Sequence, residues 1–159
     1  MATVQKPVYR FVVPELTRNP EQKAQYEKIN ESGVCPFCGI EELKKWHVNP
    51  ILNENDSWLI TQNDNPYRGT KLHLLFIIKE HIVSPLGMNE KQWLELHSLI
   101  KWAETEFHIN SGGFFMRFGE PGHNGSSVEH LHAHIIVGSG EMSETAERVK
   151  VKLGYAKET

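Results

Sequence analysis

The sequence predicts an α+β fold: an antiparallel sheet carried with one long helix and several shorter ones. Three observations support this class: several short β-rich runs, one long amphipathic stretch, and tight reversals marked by Asn, Pro and Gly. The elements follow in order. VYRFVVPEL (8–16) reads as an extended N-terminal segment. NPEQKAQYEKINESG (19–33) reads as a polar helix, with Pro20 in its first turn and Gly33 after its end. CPFCGIEELKKW (35–46) is a knuckle followed by a short helix. SWLITQN (57–63) and HLLFIIK (73–79) are strands joined by the punctuated stretch DNPYRGTKL. NEKQWLELHSLIKWAETEFH (89–108) is the long helix: Trp93, Leu96, Ile100, Ala103 and Phe107 share a stripe, and Asn89 with Gln92 forms a capping box. GFFMRFG (113–119) is a strand, GEPGHNGSS (119–127) a polar loop, and VEHLHAHIIVG (128–138) a further strand. The tail EMSETAERVKVKLGY (141–155) is expected to form a helix folding back over the sheet.

The chain has 159 residues, enough for one ordinary core, and shows no repeat, low-complexity tract or linker. A single domain over residues 1–159 is therefore expected. A net charge of −3 supplies no field to gather a long nucleic acid, although a small anion could still be met locally. No apolar run is long enough to span a membrane, and MATVQKPVYRF lacks a secretory signal, so a cytoplasmic protein is expected. The two cysteines, Cys35 and Cys38, form a CPFC pair, which in that compartment favours a metal or redox site over a structural disulfide.

EHLHAHII (129–136) places His130, His132 and His134 at alternate positions, a third of the chain's nine histidines. Strand alternation puts them on one face and turns Leu131, Ala133 and Ile135 toward the core. A solvated polar face would not require His three times. Adjacent imidazolium ions would also repel, so some of these rings are neutral near pH 7. Neutral imidazoles in a row suit metal binding or nucleophilic and acid–base chemistry. The Gly/Ser loop just upstream can turn backbone N–H groups and hydroxyls toward an anion. Together they describe a phosphate beside a row of imidazoles.

HLHAHII resembles the His-φ-His-φ-His-φ-φ signature (φ apolar) of the histidine triad family of nucleotide hydrolases and transferases. The likeness extends to NPYRGTKLHLLFIIKEHI, similar to that family's Pro-containing turn, apolar strand and Lys-x-His ending, and to CPFC, similar to the CxxC of its zinc-containing bacterial branch. These blocks cover about residues 35 to 137, the expected core, with N- and C-terminal extensions. The resemblance implies the α+β fold above with an antiparallel sheet of about five strands, a homodimer, a purine nucleotide or dinucleoside polyphosphate as ligand, and structural zinc.

It also implies roles. His132, the central triad His, would be the nucleophile attacking the α-phosphorus, and His134 would orient or donate to the phosphate. Gly125, Ser126 and Ser127 would form the phosphate side, and Asn63 would meet the ribose hydroxyls. His73 would sit behind the site. A tetrahedral structural metal needs two ligands besides Cys35 and Cys38, and no further Cys exists. In the zinc-bearing branch these are the residues matching His81 and His130. Ser126 stands where the family usually has Gln, Glu129 precedes the triad as in phosphorylase-like members, and Val137-Gly138 replaces a common Pro-Arg. These departures favour a dinucleoside polyphosphate hydrolase or phosphorylase over a phosphoramidase. Two rival readings stand beside that enzyme: a hydrolase whose three His hold a catalytic metal, and a non-catalytic nucleotide sensor.

Overall fold

The computed structural model describes residues 11–140 and 142–156. Its centre is a five-stranded antiparallel sheet of order β1-β2-β3-β5-β4, formed by β1 (Ile51–Glu54), β2 (Trp58–Gln62), β3 (Thr70–Ile78), β4 (Gly113–Met116) and β5 (His132–Gly138). Alternation along β3 assigns its two faces. Leu74, Phe76 and Ile78 join Trp58, Ile60, Leu131, Ala133 and Ile135 in one buried cluster with Leu96, Leu99 and Ala103 of α3 (Glu90–Glu106). Leu75 and Ile77 face the other way, toward Leu59 and Leu43 of α2 (Ile40–Trp46). Each such side chain contributes about 1.5–3 kcal/mol when fully buried, so α3 holds one face of the sheet shut. The opposite face keeps the histidines.

The helix signals act as expected. Asn19 caps α1 (Pro20–Ser32) by accepting from the Gln22 N–H at 2.7 Å, and Gly33 ends it at φ 67°. Asn89 and Gln92 make the reciprocal capping box of α3. The buried side of α3 is Gln92, Leu96, Leu99 and Ala103, and Trp93 lies 45% exposed rather than on the packed stripe. Gln92 takes that inner place because its side chain donates to Glu80 at 2.8 Å and its carbonyl accepts the Trp58 indole N–H at 2.8 Å. A polar residue wins an inward position when every group on it is satisfied.

The structure refines or corrects several expectations. The N-terminal segment is extended at Val13, as expected, but forms no named strand over its described part. Val12 makes one bridge to Val128 and Pro14–Leu16 form a 3₁₀ turn, while residues 8–10 lie outside the described residues. The fifth strand is β1, a short edge strand whose ILNE has little β character and whose register shifts at Ile51/Asn53. β5 begins at His132 rather than Val128. Before it, the Glu129 N–H bonds the Phe11 carbonyl at 2.7 Å and the Leu131 N–H bonds the Ile82 carbonyl at 2.7 Å, so the ladder has not yet started. The described tail, 142–156, holds no helix. Val149, Val151 and Leu153 alternate with period two, and the Tyr155 N–H bonds the Gly122 carbonyl at 2.9 Å, which draws the chain out along the Gly/Ser loop. No helix among the described residues is long and apolar enough to cross a membrane.

Candidate active site and metal centre

The CPFC turn doubles back on itself, with the Cys38 N–H bonding the Cys35 carbonyl at 3.2 Å, and brings both sulfurs toward His81 and His130. One ligand atom from each of the four residues lies within 4.8 Å of all the others. Cys35 Sγ is 3.3 Å and Cys38 Sγ 3.5 Å from His130 Nδ1; His81 Nδ1 is 3.2 Å from Cys38 Sγ and 3.2 Å from His130 Nδ1. Tetrahedral zinc with ordinary bond lengths sets S···N separations of about 3.6 Å and N···N separations of about 3.3 Å. The four side chains therefore fit a tetrahedral metal. His130 Nε2 lies 2.6 Å from the Ile78 carbonyl, so Nε2 carries the proton and Nδ1 presents its lone pair to the cluster. Burial pushes the Cys35 thiol up to about 12, and a bound cation would supply the charge that lets it ionise.

Two residues on, the opposite nitrogen is tied. His132 Nδ1 lies 2.6 Å from the His130 carbonyl, which can only accept, so Nδ1 is the protonated nitrogen and Nε2 holds the free lone pair. Burial, with Arg117 and Arg18 nearby, lowers the His132 pKa to about 4, and the carbonyl bond only partly offsets this. The ring is neutral at pH 7. His134 follows on β5, its ring 5.0 Å from that of His132 and stacked 4.6 Å from Phe115 of β4. His134 Nδ1 meets His73 Nε2 at 2.9 Å, one N–H···N bond between two neutral rings. Burial, then Arg18 and Arg117, lowers the His73 pKa to about 3, and burial holds His134 well below its usual range. His73 thus stands behind the site and fixes the orientation of His134.

His132 and His134 line a cavity of about 670 Å³, within the range of small-molecule sites. Leu16, Ile29, Phe37 and Trp46 give it an apolar wall; Arg18, Arg117, Lys150 and Lys152 give it cations. All the residues expected to contact substrate, Asn63, Gly125, Ser126, Ser127 and His134, lie on its lining. Their groups differ in availability. Ser127 Oγ lies 3.2 Å from the Tyr26 hydroxyl, and the Asn63 amide nitrogen lies 3.1 Å from His73 Nε2. Ser126 is buried, and its hydroxyl donates to the Val128 carbonyl at 2.9 Å, so it braces the loop. Gly125 closes the single-turn α4 (Pro121–Asn124) at φ 69°, where a Cβ would overlap the Leu153 carbonyl of the tail.

Reading the sequence missed the cations and the extensions. Arg117 is buried, its Nη2 donates to the Tyr67 hydroxyl at 2.7 Å and the Lys152 carbonyl at 2.9 Å, and its Nη1 lies 3.5 Å from His134 Nε2. The available signal was an Arg two residues from Phe115 in the apolar run GFFMRFG. Residues from both flanks of the 35–137 core also line the cavity, among them Arg18, Tyr26 and Ile29 on one side and Lys152, Leu153 and Tyr155 on the other.

The chain matches the family model described as "Scavenger mRNA decapping enzyme C-term binding" over residues 34–150. No curated protein matches it. Among solved structures it is similar to a histidine triad protein from Clostridium difficile, at 22% identity over 70% of this chain and 96% of that one (TM-score 0.52). It is also similar to a HIT family hydrolase from Clostridium thermocellum, at 24% identity over 73% and 96% (TM-score 0.51). A hypothetical protein from Leishmania major aligns at 21% identity over 76% and 86%, with a TM-score of 0.54.

Proposed function

The chain belongs to the histidine triad family, and from that premise we propose that it is a nucleotide hydrolase or transferase acting at the α-phosphorus of a dinucleoside polyphosphate or nucleoside phosphoramidate. The observation that carries this reading is the hydrogen bond from His132 Nδ1 to the His130 carbonyl, which leaves a neutral Nε2 lone pair beside a cationic cavity. In the first step that lone pair attacks the α-phosphorus. The P–Nε2 bond forms, the P–O or P–N bond to the leaving group breaks, and the leaving group departs with the electron pair, as a polyphosphate anion or, on taking up a proton from solvent, as an amine. In the second, water attacks the same phosphorus and releases a proton to solvent, the P–Nε2 bond breaks, the nucleotide leaves as the monophosphate, and Nε2 recovers its lone pair. Inorganic phosphate in place of water would make the enzyme a phosphorylase. His134, held by His73, orients the phosphate oxygens. The apolar wall formed by Leu16, Ile29, Phe37 and Trp46 suits a purine ring.

Cys35, Cys38, His81 and His130 would hold zinc in a purely structural role, clamping the residue whose carbonyl aligns His132. This division favours the nucleophilic reading over a three-His catalytic metal, because the metal-facing nitrogen of the triad belongs to His130 alone. The phosphoanhydride reading is favoured by the four cations at the cavity. It also agrees with a family description that names decapping, since a cap is two nucleosides joined 5′ to 5′ through phosphates. We further propose one domain over residues 1–159 in a cytoplasmic homodimer. The dimer is supported by β4, which ends the sheet with no further strand paired to it among the described residues and has Phe114 47% exposed, and by Trp93 and Leu94 of α3, exposed at 45% and 67%.

The test is a panel of dinucleoside polyphosphates and adenosine 5′-phosphoramidates, assayed with and without inorganic phosphate. An alkaline quench should trap a radiolabelled α-phosphate on the wild type, and an acid quench should release it. His132→Asn should keep its fold and metal yet lose turnover by several orders of magnitude. Near-wild-type turnover in His132→Asn would refute the mechanism.

A further inference from the structure

Arg117 is a cation of the cavity to which the two chemical steps above give no individual role. It extends from the end of β4, two residues after Phe115, whose ring stacks on His134; the β4–β5 pairing therefore delivers the guanidinium to the triad face of the sheet. The residue is only 8% exposed. Its contacts within hydrogen-bond range among the described residues are the Tyr67 hydroxyl, the Lys152 carbonyl and His134 Nε2, all of them uncharged, and its Nε has no partner among them. No carboxylate among the described residues pairs with it. Glu15 and Asp64 also reach the cavity lining, but Asp64 is held by His47 at 2.9 Å. A guanidinium cannot shed its proton, and a buried charge left without a counterion is costly. Phe115 beneath the guanidinium, at 4.9 Å from its centre, meets only part of that cost. A cation kept in this condition beside a cavity calls for an anion from outside the chain.

We infer that Arg117 is a substrate-contacting catalytic residue, whose guanidinium meets the non-bridging oxygens of the phosphate attacked by His132. This rests on the nucleotide-hydrolase reading above and deepens it. Nη1, 3.5 Å from His134 Nε2, reaches the same phosphate as the triad, while Tyr67 and the Lys152 carbonyl anchor Nη2 and set its angle. Charge on those oxygens grows as the fifth ligand approaches phosphorus, so the contact strengthens in the transition state and appears mainly in kcat.

The experiment compares Arg117→Gln, Arg117→Met and Arg117→Lys with the wild type. It measures kcat and KM on diadenosine tetraphosphate and on an adenosine 5′-phosphoramidate, AMP affinity by calorimetry, and melting temperature. Arg117→Gln and Arg117→Met should lose about 10²–10³ in kcat on both substrates, the scale of one lost oxyanion donor. Arg117→Lys should recover part of the loss, because it keeps charge without the fork. Equal activity in the Met and Lys variants would show that the stem's packing matters and not its charge, and would overturn the assignment. So would kcat within threefold of wild type in Arg117→Gln. Should the Gln and Met variants fail to fold, Tyr67→Phe removes one Nη2 anchor and should cost about tenfold in kcat, the worth of one hydrogen bond; an unchanged kcat there would also overturn it. If the wild type turns over neither substrate, the hydrolase reading falls and the catalytic role with it, and AMP affinity then decides the phosphate contact separately: tenfold weaker binding in the folded variants supports that contact, and unchanged binding sinks it.

Discussion

Removing zinc from the proposed Cys35, Cys38, His81, His130 centre should lower turnover and also stability, the latter by an amount that can be worked out. The four ligand atoms already lie within 4.8 Å of one another, so the site is organised by the fold and binding need not order the chain. Metal-free protein should therefore stay folded. The Cys35 thiol, pushed up to about 12 by burial, keeps its proton without the ion, and no buried charge is stranded. The stability lost is then set by mass action. Free zinc at a hundred times its dissociation constant contributes about 2.7 kcal/mol. In a domain of this size each kcal/mol moves the melting temperature by about 2–4 °C, which gives a fall of roughly 5–10 °C. Turnover should fall as well, because His130 would lose the clamp on the carbonyl that aligns His132 at 2.6 Å. The assay is differential scanning calorimetry with metal analysis and a single-turnover measurement, on protein as isolated, stripped by chelator and reloaded. Cys38→Ala should behave like the stripped protein. If stripping leaves melting temperature and turnover unchanged, or if Cys35→Ser retains a full equivalent of metal, the structural-zinc argument fails.

Gly125→Ala should cost about 1–2 kcal/mol from the left-handed backbone alone and displace residues 152–154 from the cavity rim, raising KM more than it lowers the melting temperature; a crystal structure with the tail unmoved would contradict this. Acid should destabilise the fold: His73 has a folded pKa of about 3 against an ordinary value near 6.5, so its contribution is complete above pH 6.5 and is lost progressively as the pH falls toward 3. The groups facing it are Arg18, Arg117, His132, His134 and Tyr67, and the full effect reaches about 5 kcal/mol by linkage. His73→Asn should flatten the acid limb of a urea-stability profile, and an unchanged limb would refute that origin. Light scattering at micromolar concentration should give a dimer, and Phe114→Glu on the open edge of β4 should convert it to monomer while α3 stays folded.

Local signals carried much of this protein. Period-two alternation in HLHAHII separates the histidines from Leu131, Ala133 and Ile135, and those three do join the α3 core. The same reading failed at the tail because VKVKLGY has the period of an extended chain, and failed at β1 because an edge strand of four residues has almost no pattern of its own. Trp93 was misplaced because a stripe identifies a face of a helix but not which flank of it meets the sheet. The sequence by itself determined the α+β class, the helix caps, the shared face of the histidines and the Cys35/Cys38 pair, since each depends on spacing along one stretch of chain, whereas His81 and His130 entered as metal candidates only through the family resemblance. Only the tertiary structure decided which nitrogen of each ring is free, because that follows from carbonyls supplied by Ile78 and His130. It alone placed Arg117 beside His134 and brought residues 150–155 to the cavity, for these are meetings between segments that no local period records.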